Sequence, residues 1–236
     1  MRIVKEAICV GALLVAVTPV DAGPDFIEGM CSGGSAGSFP GTACGVTGVG
    51  NLSTITGGTS MPFGPGLLDL EDMYIIRITD ASIFSASTLD ALTTFDTQLW
   101  LFRVDEFDPL LDGVGLLANN DISAMETASM LGPMSTDGTV VITEGIYYLA
   151  ISGGAGAGFP GRFPVAAGAA MFDFTTPTDI VGPLDPFAII DDWSGDGAVG
   201  TYVIHFEGVS FIPAPGAFWV LALLAVNTRR RRRATP

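Results

Sequence analysis

Apolar and polar residues alternate with a period of two along much of the chain. Over residues 201–209 (TYVIHFEGV), Tyr202, Ile204 and Phe206 alternate with Val203, His205 and Glu207, as a strand with one buried face requires. Residues 73–79 (MYIIRIT) place Tyr74, Ile76 and Ile78 on one face. Residues 97–104 (TQLWLFRV), 139–143 (TVVIT) and 146–152 (IYYLAIS) continue the series, with a further candidate strand at 83–87. No helical periodicity lasts more than a turn or two, and residues 87–95 have room only for a short helix or a loop. Strands at this spacing, with Gly, Asp and Asn between them, predict an all-β fold, an antiparallel β-sandwich or jelly roll. No internal repeat is present.

Both ends depart from this pattern. Arg2 and Lys5 precede an eleven-residue apolar run at 7–17 (AICVGALLVAV), and Val20-Asp21-Ala22 follows, so residues 1–22 read as a signal peptide cut after Ala22. At the other end, FIPAPG (211–216) carries Pro213, Ala214, Pro215 and Gly216. Proline fixes φ and gives up its N–H, so this spacer ends the folded domain. An apolar run at 217–226 (AFWVLALLAV) comes next, then five arginines, Arg229, Arg230, Arg231, Arg232 and Arg233, which resist crossing a bilayer. Ten helical residues rise roughly 15 Å, half of a roughly 30 Å hydrocarbon core. Counting back to Val209 gives 18 residues but encloses both prolines. A processing signal whose tail is removed after translocation is favoured over a permanent anchor. The expected order is therefore leader 1–22, sandwich domain 23–210, and tail 211–236 with a hydrophobic helix that meets the membrane at least transiently.

Charge sharpens once the two ends are set aside. Of ten basic residues only Arg77, Arg103 and Arg162 remain, against 23 of the 25 acids, a formal charge of −20 with no lysine. Such a surface repels phosphate backbones and excludes nucleic acid as a partner, while it suits divalent cations, cationic partners or simple solubility. Cys9 leaves with the leader. Cys31 and Cys44 remain, in a Gly- and Ser-rich stretch, and in an oxidising compartment predict a disulfide contributing about 3 kcal/mol by loop closure.

The tail, spacer, apolar run and arginine block resemble the PEP-CTERM type of bacterial sorting signal, with Ala214 where the name-giving Pro-Glu-Pro has glutamate. That resemblance implies export by the secretion machinery and recognition by an exosortase-like membrane enzyme. The ordered stretches DLEDMYIIRITD (69–80), FDTQLWLFRVD (95–105), LLANND (116–121), EGIYYLAISG (144–153) and GTYVIHFEG (200–208) resemble the bacterial pre-peptidase C-terminal (PPC) β-sandwich. Against that family, residues 153–200 form a long insertion. Some PPC-like modules hold calcium, which singles out Glu71, Asp72, Asp96 and Asp121 if they meet at one edge.

Candidate chemistry is sparse. His205 is the only histidine, so a histidine-rich zinc site is excluded, and it reads as a strand residue rather than a catalytic base. No nucleophile elbow or phosphate loop appears, and GGAGAG at 153–158 lacks the strand–helix context of a dinucleotide site. Asp192, Ser194 and Asp196 occupy alternating positions in DWSGDG with glycine after them, as a calcium loop requires, although Val203 stands where the twelfth-position acid belongs. The bland alternative is that these acids are turn residues. Trp100, Trp193 and Tyr148 either stack on carbohydrate or fill the core. The expectation is an exported, non-catalytic structural, adhesive or binding module of the cell envelope or matrix, facing envelope glycans or proteins. The competing class is a secreted hydrolase, a glycosidase using two carboxylates on the same sandwich.

Overall fold

Three strands explain most of the architecture: β4 (Glu71–Ile78), β6 (Thr97–Val104) and β9 (Gly145–Gly153) are apolar on both faces. In the computed structural model, which describes residues 25–60, 68–104, 112–155 and 161–213, they form the centre of a sheet ordered β14–β4–β9–β6–β7. Here β7 is Gly113–Asn119 and β14 is Val209–Ser210; β2 (Cys44–Gly45) also pairs with β4. A second sheet runs β1 (Asp25–Ile27), β3 (Thr54–Gly58), β13 (Thr201–Glu207), β5 (Ser85–Ser87) and β8 (Met130–Leu131). The leader at 1–22 and the tail from Ala214 through Arg233 lie outside the described residues.

The two sheets face each other across one core. Tyr74, Ile76, Leu99, Leu101, Leu149 and Ile151 pack against Ile55, Tyr202, Ile204 and Phe206. The opposite face of the central strands carries Met73, Trp100, Phe102, Tyr148 and Ala150, and it too is buried. Its cover is the segment between β9 and β13 (Thr201–Glu207). A small sheet of β10 (Phe163–Ala166), β11 (Ala169–Ala170) and β12 (Asp192–Ser194) belongs to this segment, which brings Met171, Phe172, Ile190 and Trp193 down onto Trp100 and Phe102. Trp100 lies 5.6 Å from Phe172, 5.4 Å from Phe174 and 6.2 Å from Trp193 between ring centroids. Both indoles are satisfied, Trp100 by Ser152 Oγ and Trp193 by the Ser38 carbonyl, each at 2.8 Å. Trp100, Trp193 and Tyr148 are thus core residues rather than a stacking surface. The same segment covers the outer edge of β7 through bridges from Ile189 to Val114 and from Val181 to Ala118.

The all-β expectation holds, with differences of detail. The sheets are mixed: β1 pairs with β3 and β2 with β4 in parallel. Parallel neighbours need a long crossover, and the loop carrying the Cys31–Cys44 disulfide supplies it between β1 and β3. Residues 139–143 form no strand beyond one bridge from Val141 to Met134. Asp137 collects Ser135 Oγ, Thr139 N and Thr139 Oγ1 at 2.6–3.0 Å, which winds the chain into a turn through Gly138 at φ 71°. Residues 88–96 are loop without helix. Phe211 and Ile212, read from sequence as tail, belong to the domain: Phe211 is buried and Ile212 exchanges backbone bonds with Val46 and Gly48.

Because Trp193 holds the cover down, Trp193→Ala is expected to lower stability by about 3–5 kcal/mol, the range for deleting a large buried aromatic. Urea unfolding checks this, with the loss read as a lower midpoint.

Candidate carboxylate site

Strand pleating dictates which carboxylates can meet. Successive residues of β4 point to opposite faces, so Glu71 and Asp72 part company. Glu71 turns outward with Met73 and is bound by Arg162, Nε to Oε2 at 2.8 Å and Nη2 to Oε1 at 3.2 Å. Arg162 also donates Nη1 to the Gly195 carbonyl at 2.9 Å. Asp72 turns inward with Tyr74 and is completely buried.

There Asp72 meets Glu28 and Asp69. Glu28 begins a 3₁₀ turn, Glu28–Met30, directly after β1, and is 8% exposed. Asp69 precedes β4, held by paired backbone bonds with Ser60 of 2.7 and 3.1 Å. One carboxylate oxygen from each of the three lies within 4.8 Å of the others. The Glu28 carboxylate accepts Ala36 N (3.1 Å) and Ser35 Oγ (3.1 Å) on Oε1 and Gly58 N (2.9 Å) on Oε2. Ser35 Oγ also lies 3.4 Å from Asp69 Oδ2. Tyr202 of β13 donates to Asp72 Oδ2 at 2.7 Å, so its 2.6 Å contact with Tyr74 has the Tyr74 hydroxyl as donor. Asp72 Oδ1 receives no donor from the described residues. A side chain at Gly57 would put its Cβ 2.7 Å from Glu28 Oε2 and nearer still to the Tyr202 hydroxyl; glycine is what lets both approach β3.

Burial pushes the Asp72 carboxyl up to about 8, and the neighbouring Glu28 charge adds to the rise, while the Tyr202 bond opposes it. Asp69 is raised in the same way, by burial first and Glu28 second. Tyr74 and Tyr202 are both raised, chiefly by burial.

The other residues singled out in the sequence fall elsewhere. Asp96 and Asp121 form a separate pair, each with a buried Oδ1 that receives no donor from the described residues; burial and then Asp121 lift Asp96 to about 6. Asp192 and Ser194 are exposed positions of β12, not of a loop, and Asp192 Oδ1 accepts the Trp193 N–H at 2.8 Å. Asp196 is exposed beyond Gly195, and neither it nor Asp192 belongs to the three-carboxylate group. His205 lies on the exposed face of β13, its Nε2 2.7 Å from Asp90 Oδ2. Glu28 and Asp69 were missed by sequence reasoning. Asp69 stands three residues before Asp72, a visible spacing, but nothing local marks Glu28, which arrives from more than 40 residues away in the chain.

For a carboxyl raised on folding, the native chain holds more protons between the unfolded and folded values, so stability falls as pH rises through that window. The window runs from 3.8 to about 8 for Asp72 and from 3.8 to about 6 for Asp96. Chelator-treated protein is therefore expected to melt several degrees higher at about pH 5 than at about pH 8, and Asp72→Asn to remove much of that difference. Thermal melts across pH check it. Compared with protein-family models, curated proteins and solved structures, the chain finds no match among any of the three.

Proposed function

We propose that this chain is an exported module of the cell envelope, a non-catalytic β-sandwich that serves as a structural, adhesive or binding element toward envelope glycans or proteins. The Cys31–Cys44 disulfide carries this reading. A covalent clip between the N-terminal turn and the edge of a sheet persists only where thiols are not continually reduced. The leader at 1–22, the PEP-CTERM-like tail and the lysine-free acidic domain support the same destination, with the secretion machinery and an exosortase-like enzyme as the partners in transit and the membrane as a transient or lasting contact. The PPC-like identity of the sandwich is part of this proposal.

The arrangement of the acids favours binding over hydrolysis. Glycosidase carboxylates stand roughly 5–9.5 Å apart across an open cleft. Glu28, Asp69 and Asp72 are closer than that and Asp72 is sealed from solvent. One cleft, of about 270 Å³, lies beside the disulfide between Met30 and Thr47; another, of about 400 Å³, lies among Arg103, Val140, Pro183 and Phe187. Among the described residues, neither has a carboxylate in its wall.

Fractionation followed by thiol alkylation and intact-mass analysis tests the proposal. The expected envelope form lacks residues 1–22, resists alkylation at Cys31 and Cys44 until reduced, and loses Arg229–Arg233 if the tail is processed. A cytosolic chain with its leader intact and both thiols free would overturn it.

A further inference from the structure

We infer that the cleft at the end of β6 binds an acidic sugar, with the Arg103 guanidinium holding a uronate carboxylate and the Phe187 ring lying against the sugar. The inference deepens the binding role proposed above, and rests on it, by naming the class of ligand and the place where it sits.

Two side chains of this cleft are out of keeping with the rest of the domain. Among the described residues Phe187 is the one aromatic side chain mostly in solvent, 76% exposed, whereas both tryptophans and all four tyrosines are buried. Arg103, also exposed, is one of three arginines set against 23 acids, and among the described residues it pairs with none of them. Its Nη2 donates to the Pro186 carbonyl at 3.2 Å, which steers the guanidinium toward the loop that carries Phe187. Asp185, two residues before Phe187, has its Oδ1 turned back to accept the Phe187 N–H at 2.9 Å. The wall is thus apolar and cationic in a domain that is otherwise acidic.

The cleft is also preformed. Arg103 sits in register between Val114 of β7 and Tyr147 of β9. Opposite, the loop with Phe187 is braced along its length: Val181 exchanges backbone bonds of 2.9 and 2.8 Å with Ala118, Leu184 N reaches the Met171 carbonyl at 2.8 Å, and Gly115 N reaches the Ala188 carbonyl at 3.1 Å. Pro183 and Pro186 stiffen it further. A ligand therefore has little to order on arrival.

The lining selects the ligand. An aromatic ring flanked by prolines suits the C–H face of a sugar, and a planar guanidinium takes a carboxylate through two parallel bonds. Thr139 Oγ1 donates to Asp137 at 2.8 Å and keeps its lone pairs for a sugar hydroxyl. At about 400 Å³ the cleft falls within the roughly 300–1,000 Å³ of small-ligand sites. The domain's net negative charge repels a dense polyanion at long range, so the fitting glycan has its uronates spaced by neutral sugars.

The test titrates purified full-length protein by calorimetry with a tetrasaccharide carrying one glucuronate and with its carboxyl-reduced form. Saturable binding of the acidic form is expected, with the reduced form at least tenfold weaker. Arg103→Gln is expected to erase that preference by weakening the acidic form alone, Arg103→Lys to restore only part of it, and Phe187→Ala to weaken both forms alike. Both positions are exposed, so Tm is expected to stay within roughly 2 °C in each variant, which separates lost binding from lost folding. Equal affinity for the two tetrasaccharides overturns the assignment. Binding that survives both Arg103→Gln and Phe187→Ala also overturns it, and leaves a glycan-binding module whose site lies elsewhere. No saturable binding of either form up to roughly 10 mM overturns the cleft and the glycan reading together.

Discussion

The structure depends on a sheet with no wet face. Strands β4, β6 and β9 bury side chains of both parities, with Tyr74, Leu101 and Leu149 on one side and Met73, Trp100, Phe102 and Tyr148 on the other. A half-buried sheet needs one partner layer; this one needs two. The five-stranded sheet containing β13 is the first, and the long segment between β9 and β13 is the second. That second layer is therefore structurally obligatory, since without it the face carrying Trp100 and Phe102 would stand in water.

The same pleat sorts the charges. Neighbours in sequence, Glu71 and Asp72 are separated by the thickness of a strand and live under opposite conditions. Glu71 shares two hydrogen bonds with a guanidinium that is itself anchored to the Gly195 carbonyl. Asp72 has a tyrosine on one oxygen, no donor among the described residues on the other, and two acids for company. In a domain with so few positive groups, pairing one acid leaves the next without a partner. Local electrostatics here follow from scarcity as much as from placement.

Much of the fold was legible because strand period and apolar runs are local properties. Residues 97–104 were bounded to the residue, and Tyr202, Ile204 and Phe206 face inward as their alternation requires. Residues 139–143 misled because Asp137, just upstream, gathers three donors into a turn, and turn geometry overrides β-branched content. The disulfide was legible from pairing and compartment. The carboxylate site was half-legible: Asp72 was named, but grouped with Glu71, Asp96 and Asp121 by sequence motif, whereas meeting in space is decided by parity and by long-range packing. Glu28 comes from the far side of the chain, and no window of sequence contains that contact.

One consequence concerns the borders of the sheets. Natural β-proteins often blunt exposed strand edges with lysine, and the domain has none to use. Its borders are protected by brevity and by cover: β1, β2, β8 and β14 are two or three residues long, and the longer β7 is masked by Val181 and Ile189. Copies crowded side by side thus find, among the described residues, no extended ladder on which to template one another.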